Sequence, residues 1–165
     1  MRIVIQRVAR ASVEVDGRTV GSVGRGMMVL VGVENGDGEA DARWLAEKTA
    51  ALRIFDDENG VMNLPITAVG GRVLAISQFT LTASTRRGNR PSYIRAARGD
   101  EARALYRHYC DHLATLLSAA ETDRAKDTDA RHQSMVEQGI FGADMAVSLT
   151  NDGPVTIIID SRLKE

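Results

Sequence analysis

The stretch Met27-Met28-Val29-Leu30-Val31-Gly32-Val33 contains no polar side chain, and it decides the fold class of this chain. An apolar run of this length predicts a buried central strand rather than an exposed one. The cluster Asn35-Gly36-Asp37-Gly38 follows directly, and its turn-forming residues end the strand. The centre of the fold is therefore expected to be a sheet that other elements cover.

The residues before this strand predict a hairpin. Apolar side chains recur at every second position of a first strand, at Ile3, Ile5, Val13 and Val15. Asp16-Gly17 is a hairpin turn signal, and residues 20–23 form the return strand.

The residues after the central strand predict two helices and three more strands. Apolar residues spaced three or four apart indicate a helix at 42–52 and a clearer one at 102–117. The remaining strands are expected at 72–79, 145–149 and 155–159, with a tight turn at 151–154 between the last two.

Because strands outnumber helices, the chain is expected to be α+β, with a mostly antiparallel sheet curled into a barrel-like layer and two main helices. Its length of 165 residues suits a single domain, 1–165. Residues 121–138 begin with mixed charges and no apolar stripe, and we interpret them as a charged insertion or a solvated helical extension.

Composition excludes several classes of protein. Hydrophobic residues make up 44% of the chain and charged residues 26%, as in ordinary soluble domains. No export signal or membrane span is visible, and a lone cysteine fits a reducing compartment, so we expect a cytoplasmic protein with no membrane partner. A net charge of −1 argues against nonspecific coating of nucleic acid, although a local basic patch could still dock one RNA end.

Common catalytic motifs are missing. His108 and His112 flank Cys110 on the second predicted helix, but no further ligand pair accompanies them, so solvent-facing histidines beside a core cysteine are the better interpretation. The chain has neither G-x-S-x-G nor a complete phosphate-binding loop. We therefore expect no metal and no cofactor.

Three segments remain, each with a structural alternative. Ser77-Gln78-Phe79-Thr80-Leu81-Thr82 gathers hydroxyls and an amide at a strand end, but a threonine-rich edge strand would look the same. Residues 150–156 contain Asn151-Asp152-Gly153-Pro154, which a plain turn also explains. Five arginines could hold RNA phosphates or form a solvated face, namely Arg86, Arg87, Arg90, Arg95 and Arg98.

These segments together resemble the D-aminoacyl-tRNA deacylase family over nearly the whole chain. The family's elements are matched by Gln6-Arg7-Val8, Arg53-Ile54-Phe55, Met62-Asn63-Leu64, Arg90-Pro91-Ser92-Tyr93 and Phe141-Gly142-Ala143-Asp144-Met145. The segments SQFTL (77–81) and NDGPVT (151–156) are each specific, and their occurrence in order is more so.

The resemblance implies a homodimer that hydrolyses the ester of D-aminoacyl-tRNA. Catalysis would involve Ser77, Gln78, Phe79 and Thr80, with backbone N–H groups at Phe79 and Thr80 as an oxyanion hole. L-substrates would be excluded by a cross-subunit Gly-cisPro pair, Gly153-Pro154, oriented by Arg7. Further substrate or tRNA contacts would come from Met62, Asn63, Arg86, Arg87, Arg90 and Asn151.

The mechanism expected from the resemblance uses the neighbouring ribose hydroxyl to activate water, since no histidine lies near Thr80 in the sequence. Exclusion by backbone cannot sense handedness in glycine, so glycyl-tRNA, including glycine mischarged on alanine tRNA, is an expected substrate. The alternatives are a non-catalytic nucleic-acid-binding dimer, with no DNA partner expected, an editing domain for another misacylated tRNA, and a small structural dimer. Whether Thr80 acts through its hydroxyl or only its backbone stays open.

Overall fold

The computed structural model describes residues 1–124 and 134–164. This part of the chain contains two α-helices, α1 (Glu39–Ala51) and α2 (Gly99–Arg124). It also contains two short 3-10 helices, at Ile66–Val69 and Phe79–Thr82. The strands are β1 (Arg2–Val15), β2 (Arg18–Val23), β3 (Gly26–Gly32), β4 (Arg53–Asp56), β5 (Met62–Pro65), β6 (Arg72–Ser77), β7 (Val136–Gln138) and β8 (Ala146–Asp160). Among the described residues, no helix combines the length and apolarity needed to cross a bilayer.

The main sheet is antiparallel around β1 and parallel at its other end. Its strand order is β2-β1-β3-β6-β7, and β8 pairs with β1. β1 is antiparallel to β2, β3 and β8, whereas β3–β6 and β6–β7 are parallel. Parallel neighbours need crossover connections, which α1 and α2 provide here. The expected α+β class is confirmed, and the β3–β6 and β6–β7 pairs add a parallel part to the expected mostly antiparallel sheet.

The sheet curls into a nearly closed barrel. A Cβ on Gly21 of β2 would lie 3.0 Å from the backbone oxygen of Gln138 and 3.1 Å from the side chain of Leu74, so β2 packs over β6 and β7. Met27 packs in a core with α1 and α2, whereas Met28 and Leu74 pack in a second core on the other face. Residues 27–33 are apolar throughout because β3 is buried on both faces.

Both predicted helices are confirmed. α1 buries Ala42, Leu45 and Thr49, and α2 buries a stripe that includes Tyr109 and Leu113. The two helices pack against each other over the sheet, where the Tyr109 hydroxyl lies 3.0 Å from the Thr49 hydroxyl. Periodicity predicted these helices because one face of each is apolar.

The strand expected at 72–79 ends two residues early, at Ser77. Gln78 keeps one backbone hydrogen bond to β3 but lies outside the strand, and Phe79–Thr82 forms a 3-10 helix. The apolar pattern ran on through Phe79, but this side chain is 56% exposed. Phe79 therefore belongs to a turn on the surface.

The two final strands expected at 145–149 and 155–159 are one strand, β8, and this prediction was wrong in its topology. β8 pairs with β1 along almost its whole length, so the chain does not reverse at 151–154. The register jumps instead: Gln6 pairs with Thr156 and Val8 with Asn151, so four residues of β8 stand opposite Arg7. We call residues 152–155 the Gly-Pro bulge.

The segment 121–138 is not uniform. Its first residues, 121–124, continue α2, and its last three form β7, which pairs parallel with β6. Val136 of β7 is buried, so this end of the segment is part of the main sheet. Residues 125–133 lie outside the described residues.

Candidate active site

A cavity of about 460 Å³ opens where β3 and β6 end. Ser77, Gln78 and Phe79 line one side of it, so the structure brings three of the four predicted catalytic residues together. Thr80 follows in the same turn and is half-buried. We call residues 78–82 the cavity turn.

The cavity turn leaves two backbone donors unused. The Gln78 N–H donates to Val31 O at 2.8 Å, which holds the start of the turn to β3. The Leu81 N–H donates to Gln78 O at 3.3 Å. Within the described residues, the N–H groups of Phe79 and Thr80 donate to no other residue. Two adjacent free donors beside a cavity can bind an oxygen that carries negative charge.

Side chains within the cavity turn reinforce its shape. The Gln78 side-chain amide donates to the Thr80 hydroxyl. The hydroxyl of Thr82, a buried residue, donates to Phe79 O at 2.9 Å. The polar residues that the sequence places here are therefore largely occupied in holding the turn, and its leading N–H groups remain available.

Gly32 allows the cavity turn to lie close to β3. A Cβ at this position would stand 3.0 Å from the Leu81 Cβ and 3.1 Å from Gln78 O. Real Cβ atoms rarely approach other atoms so closely, so any larger residue would push the turn away from the strand. The glycine that interrupts the apolar run of β3 has this spatial reason.

Apart from Arg98 of the predicted arginine cluster, the opposite wall of the cavity consists of residues to which the sequence assigned no catalytic or binding role. Residues 141–145, which the sequence matched only to an element of the family, line the cavity together with Arg98 and Ala102. Gly142 has a φ of +81°, which shapes the loop between β7 and β8. This glycine was the available signal for a sharp loop. The loop lies near residues 77–79 because β7, which precedes it, pairs parallel with β6.

The predicted arginine cluster forms a second cavity beside the first. Ser84 and Ser92 exchange two backbone hydrogen bonds of 2.9 Å and close the arginine loop, residues 84–92. The space, about 600 Å³, is lined by Arg86, Arg87, Arg90 and Arg95 with three hydroxyl side chains, Ser84, Thr85 and Ser92. Phe79 contacts Tyr93 edge-on, with ring centroids 5.1 Å apart, and so joins the loop to the cavity turn. Four guanidinium groups create a local positive field in a chain of net charge −1.

The Gly-Pro bulge is anchored by Arg7. This side chain, 7% exposed, donates from Nε to Asp152 O at 2.9 Å and from Nη1 to Ile54 O at 2.8 Å. Its Nη1 also lies 3.1 Å from the Asp56 carboxylate. The Gly153-Pro154 bond is cis, and both residues are exposed.

Gly153 needs to be glycine for two reasons. Its φ of +130° is one that L side chains rarely adopt. A Cβ would also lie 2.9 Å from Val155 Cγ2 and 3.0 Å from Val155 N. A substitution would therefore deform the bulge.

Met62, Asn63 and Asn151 lie near the bulge rather than the cavity. Met62 pairs with Asp56, the residue that contacts Arg7, and is 49% exposed. Asn63 is held by Arg53, whose guanidinium donates to both its backbone and side-chain oxygens. Asn151 is exposed at the start of the register jump.

The predicted site residues thus form two groups that do not meet in one chain. Ser77 is level with Val31 of β3, whereas the bulge is opposite Arg7, which pairs with Met27. The groups are separated by four residues along the strands and three strands across, which corresponds to roughly 20 Å. None of the described residues lining the first cavity belongs to the Gly-Pro bulge.

In the part of the chain that the structure describes, no side chain near the cavity turn is paired with a base as a nucleophile would be. Cys110 is buried, as expected, and burial raises the pKa of its thiol to about 12, so it stays protonated at neutral pH. His108 and His112 are half-buried rather than solvent-facing, and His112 Nε2 lies 3.6 Å from Glu47 Oε1. Among the described residues, no three His, Cys, Asp or Glu side chains are grouped as metal ligands would be.

Similarity to known proteins covers the whole chain. The family model described as D-Tyr-tRNA(Tyr) deacylase matches residues 4–160. A D-aminoacyl-tRNA deacylase of Akkermansia muciniphila is 53% identical, and one of Bacteroides thetaiotaomicron is 49% identical, each over 100% of both chains.

Two solved structures share the fold. One, the c-Myc DNA Unwinding Element Binding Protein, is 33% identical with a TM-score of 0.81, and the match covers 97% of this chain and 98% of that one. The other, a probable eukaryotic D-amino acid tRNA deacylase, is 17% identical with a TM-score of 0.75 over 96% and 97%. On the family model and the full-length relatives, the chain belongs to the D-Tyr-tRNA(Tyr) deacylase family and is a D-aminoacyl-tRNA deacylase enzyme.

Proposed function

We propose that this enzyme hydrolyses the ester of D-aminoacyl-tRNA at the cavity turn, as a cytoplasmic homodimer in which the Gly-Pro bulge of one subunit completes the cavity of the other. The hydrolysis is supported chiefly by the pair of free N–H groups at Phe79 and Thr80. The dimer is supported by the separation of cavity and bulge within one chain.

Attack of water on the ester places negative charge on the carbonyl oxygen. The N–H groups of Phe79 and Thr80 would donate to this oxyanion, and such a donor is worth about 3 kcal/mol of transition-state stabilisation. Because both donors are backbone groups held by the cavity turn, they need no reorganisation as the charge forms. Ser77 and Gln78 would shape the part of the cavity that holds the terminal adenosine.

Activation of the water is assigned to the substrate. A side-chain nucleophile needs an adjacent base, and among the described residues the Thr80 hydroxyl has only the Gln78 amide as a side-chain partner. The free ribose hydroxyl beside the ester can assist water in place of a base. Thr80 would then contribute mainly its backbone N–H.

Chiral selection is assigned to the backbone of Gly153 and Pro154. An exposed glycine lets main-chain atoms approach the substrate's α-carbon without an intervening Cβ. The side chain of an L-residue would collide with this backbone, whereas that of a D-residue would point away. Glycine has no side chain that could collide with this backbone. Glycyl-tRNA is therefore a predicted substrate, including glycine mischarged on alanine tRNA.

The arginine loop is assigned to the tRNA backbone. Arg86, Arg87 and Arg90 are exposed and line the second cavity, next to the cavity turn. Phosphates of the 3′ end would lie against these guanidinium groups while the ester enters the first cavity. Met62, Asn63 and Asn151, close to the bulge, would contact the substrate from the partner subunit's side.

The deciding experiment measures deacylation of matched D-tyrosyl-tRNA and L-tyrosyl-tRNA, with glycyl-tRNA as a third ester. We expect rapid loss of the D-ester and the glycyl ester and retention of the L-ester. The variant Gly153→Ala is assayed in parallel and should hydrolyse the D-ester more slowly, because its Cβ would deform the bulge. Gly24→Ala is its matched control, because a Cβ at Gly24 meets nothing within 4 Å. Retention of all esters by a folded dimer would contradict hydrolysis and favour a non-catalytic nucleic-acid binder, as the name of the 33% identical structure suggests for that protein.

A further inference from the structure

Two arginines contact the carbonyl end of the cavity turn, and one of them, Arg95, also lines the second cavity. Arg2 donates from Nη1 to Leu81 O at 3.0 Å. Arg95 donates from Nη2 to Thr82 O at 3.3 Å. Carbonyls at the end of a helical turn lack partners within it, so side chains that donate to them hold the turn in place.

Each arginine is itself held by a carboxylate. Arg2 places Nε and Nη2 at 3.0 and 2.8 Å from Asp160 Oδ2, at the end of β8. Arg95 Nη2 lies 3.7 Å from Oε1 of Glu34, whose side chain is only 5% exposed. This Oε1 is buried and has no hydrogen-bond partner among the described residues, so the Arg95 guanidinium compensates its charge as an ion pair without a hydrogen bond.

One further residue joins the two pairs. The Arg162 N–H donates to Asp160 Oδ1 at 3.0 Å, and its Nη1 lies 3.2 Å from Glu34 Oε2. Arg162 thereby holds each carboxylate through the oxygen that Arg2 or Arg95 does not contact. The network links the two ends of the chain to a turn about eighty residues from either end.

We infer that Arg2 and Arg95, backed by Asp160 and Glu34, are positioning residues that hold the cavity turn so that its free N–H groups face the reacting ester. This inference rests on the proposed function for its catalytic consequence. Its structural content, a turn stabilised from its carbonyl end, stands separately. Neither arginine donates to the reacting ester in this mechanism, and each acts on catalysis through the turn.

The test compares Arg2→Met and Arg95→Met with Arg72→Met. Arg72 is a matched control because it also donates to a backbone carbonyl, Ser134 O, and to a carboxylate, Glu137, but at the opposite end of β6. The first readout is amide hydrogen exchange at Leu81 and Ala83, whose N–H groups bond within the turn. We expect exchange to accelerate roughly fivefold for each lost arginine and to stay unchanged in the control.

The second readout is the steady-state kinetics on D-tyrosyl-tRNA. We expect kcat to fall roughly tenfold in each variant and KM to stay nearly constant. The reason is that displaced N–H donors stabilise the transition state less, while binding of the ground-state substrate is unchanged. Arg2→Lys and Arg95→Lys should restore part of kcat. Arg95 is half exposed, so its variants test the idea even where an Arg2 variant does not fold.

Unchanged exchange at Leu81 and Ala83 would overturn the inference, whatever happens to activity. Equal acceleration in Arg72→Met would also overturn it, because the effect would then be general destabilisation. A wild-type enzyme that leaves D-esters intact would refute the proposed function instead, and the exchange data would still decide whether the arginines hold the turn.

Discussion

The cavity turn and the Gly-Pro bulge are both irregular backbone, but they are built in opposite ways. The cavity turn is held along its length by Val31, by side chains within the turn and by two arginines, and it leaves two N–H donors free. The bulge is held chiefly by one buried arginine, and it exposes a glycine and a proline. The first arrangement suits binding of a charge, and the second suits exclusion by shape.

The comparison also explains why two subunits are proposed. A charge-binding turn works only next to the ester, and an excluding surface works only next to the α-carbon one bond away. Within one chain the two lie roughly 20 Å apart. A second copy is the simplest source of the missing half.

The largest predicted effect is the loss of D-ester hydrolysis when either region is damaged, and its recovery when the two damaged regions are on different subunits. Gly153→Ala should deform the bulge, and Ala143→Trp should fill the cavity, so each homodimer is expected to lose roughly 100-fold in D-ester hydrolysis. A heterodimer of the two variants would contain one intact site and should regain about half of the wild-type rate. Differently tagged subunits allow its purification and assay.

The reciprocal heterodimer serves as the control. When both substitutions are on one subunit and the partner is wild-type, each shared site has one damaged half, and activity should stay low. The opposite pattern would show that cavity and bulge of the same subunit work together, and it would remove the proposed cross-subunit site.

The second prediction concerns the anchor of the bulge. Arg7→Met removes donors to Asp152 O and Ile54 O, and the buried Ile54 carbonyl loses a charged partner, so the free energy of unfolding should fall by about 2 kcal/mol. The preference for D- over L-esters should shrink in the folded variant. Urea unfolding and the two ester assays measure these effects. Arg10→Met, at an exposed position of the same strand, should change neither.

A smaller effect is expected inside the cavity turn. Thr80→Ala removes a hydroxyl that accepts a hydrogen bond from the Gln78 side-chain amide, but it keeps the backbone N–H of residue 80. The kcat should therefore fall less than about tenfold. The measurement is single-turnover hydrolysis of D-tyrosyl-tRNA. A loss to background would instead assign covalent catalysis to the Thr80 hydroxyl.

The smallest predicted effect is the loss of the stability contributed by Asp160 at acid pH. Burial tends to raise the pKa of Asp160, but hydrogen bonds from the Arg162 backbone N–H and from Arg2, together with the positive charges of Arg2 and the N-terminal ammonium, outweigh it and hold the pKa below its ordinary value. A lowered pKa means that the carboxylate stabilises the fold fully above about pH 4, and that this contribution disappears as the pH falls through the folded-state pKa. The difference in unfolding free energy between wild-type and Asp160→Asn should therefore shrink between pH 6 and pH 3. A difference that grows in acid would contradict this assignment.

Periodicity in the sequence was enough for the regular elements. The apolar run at 27–33 predicted the buried β3, alternation predicted the hairpin of β1 and β2, and apolar stripes predicted α1 and α2. These patterns are local because burial of a strand or helix face requires a fixed spacing of apolar side chains. The specific segments SQFTL and NDGPVT indicated the family before any geometry was available.

Pairing between distant strands decided the rest. A turn at 151–154 and a bulge in a continuous strand use the same turn-forming residues, and only the register against β1 shows that β8 does not reverse. Residues 141–145 join the cavity because β7 lies beside β6, which no spacing along the chain encodes.

The sequence by itself determined the family, the class of elements and most of the residues in the two groups. Only the tertiary structure decided that those groups lie apart, that Arg7 holds the bulge and that Arg2 and Arg95 hold the cavity turn. The physical reason is that side-chain hydrogen bonds between residues 79 or 145 positions apart leave no periodic mark in the chain. They exist only once packing has brought the donors and acceptors together.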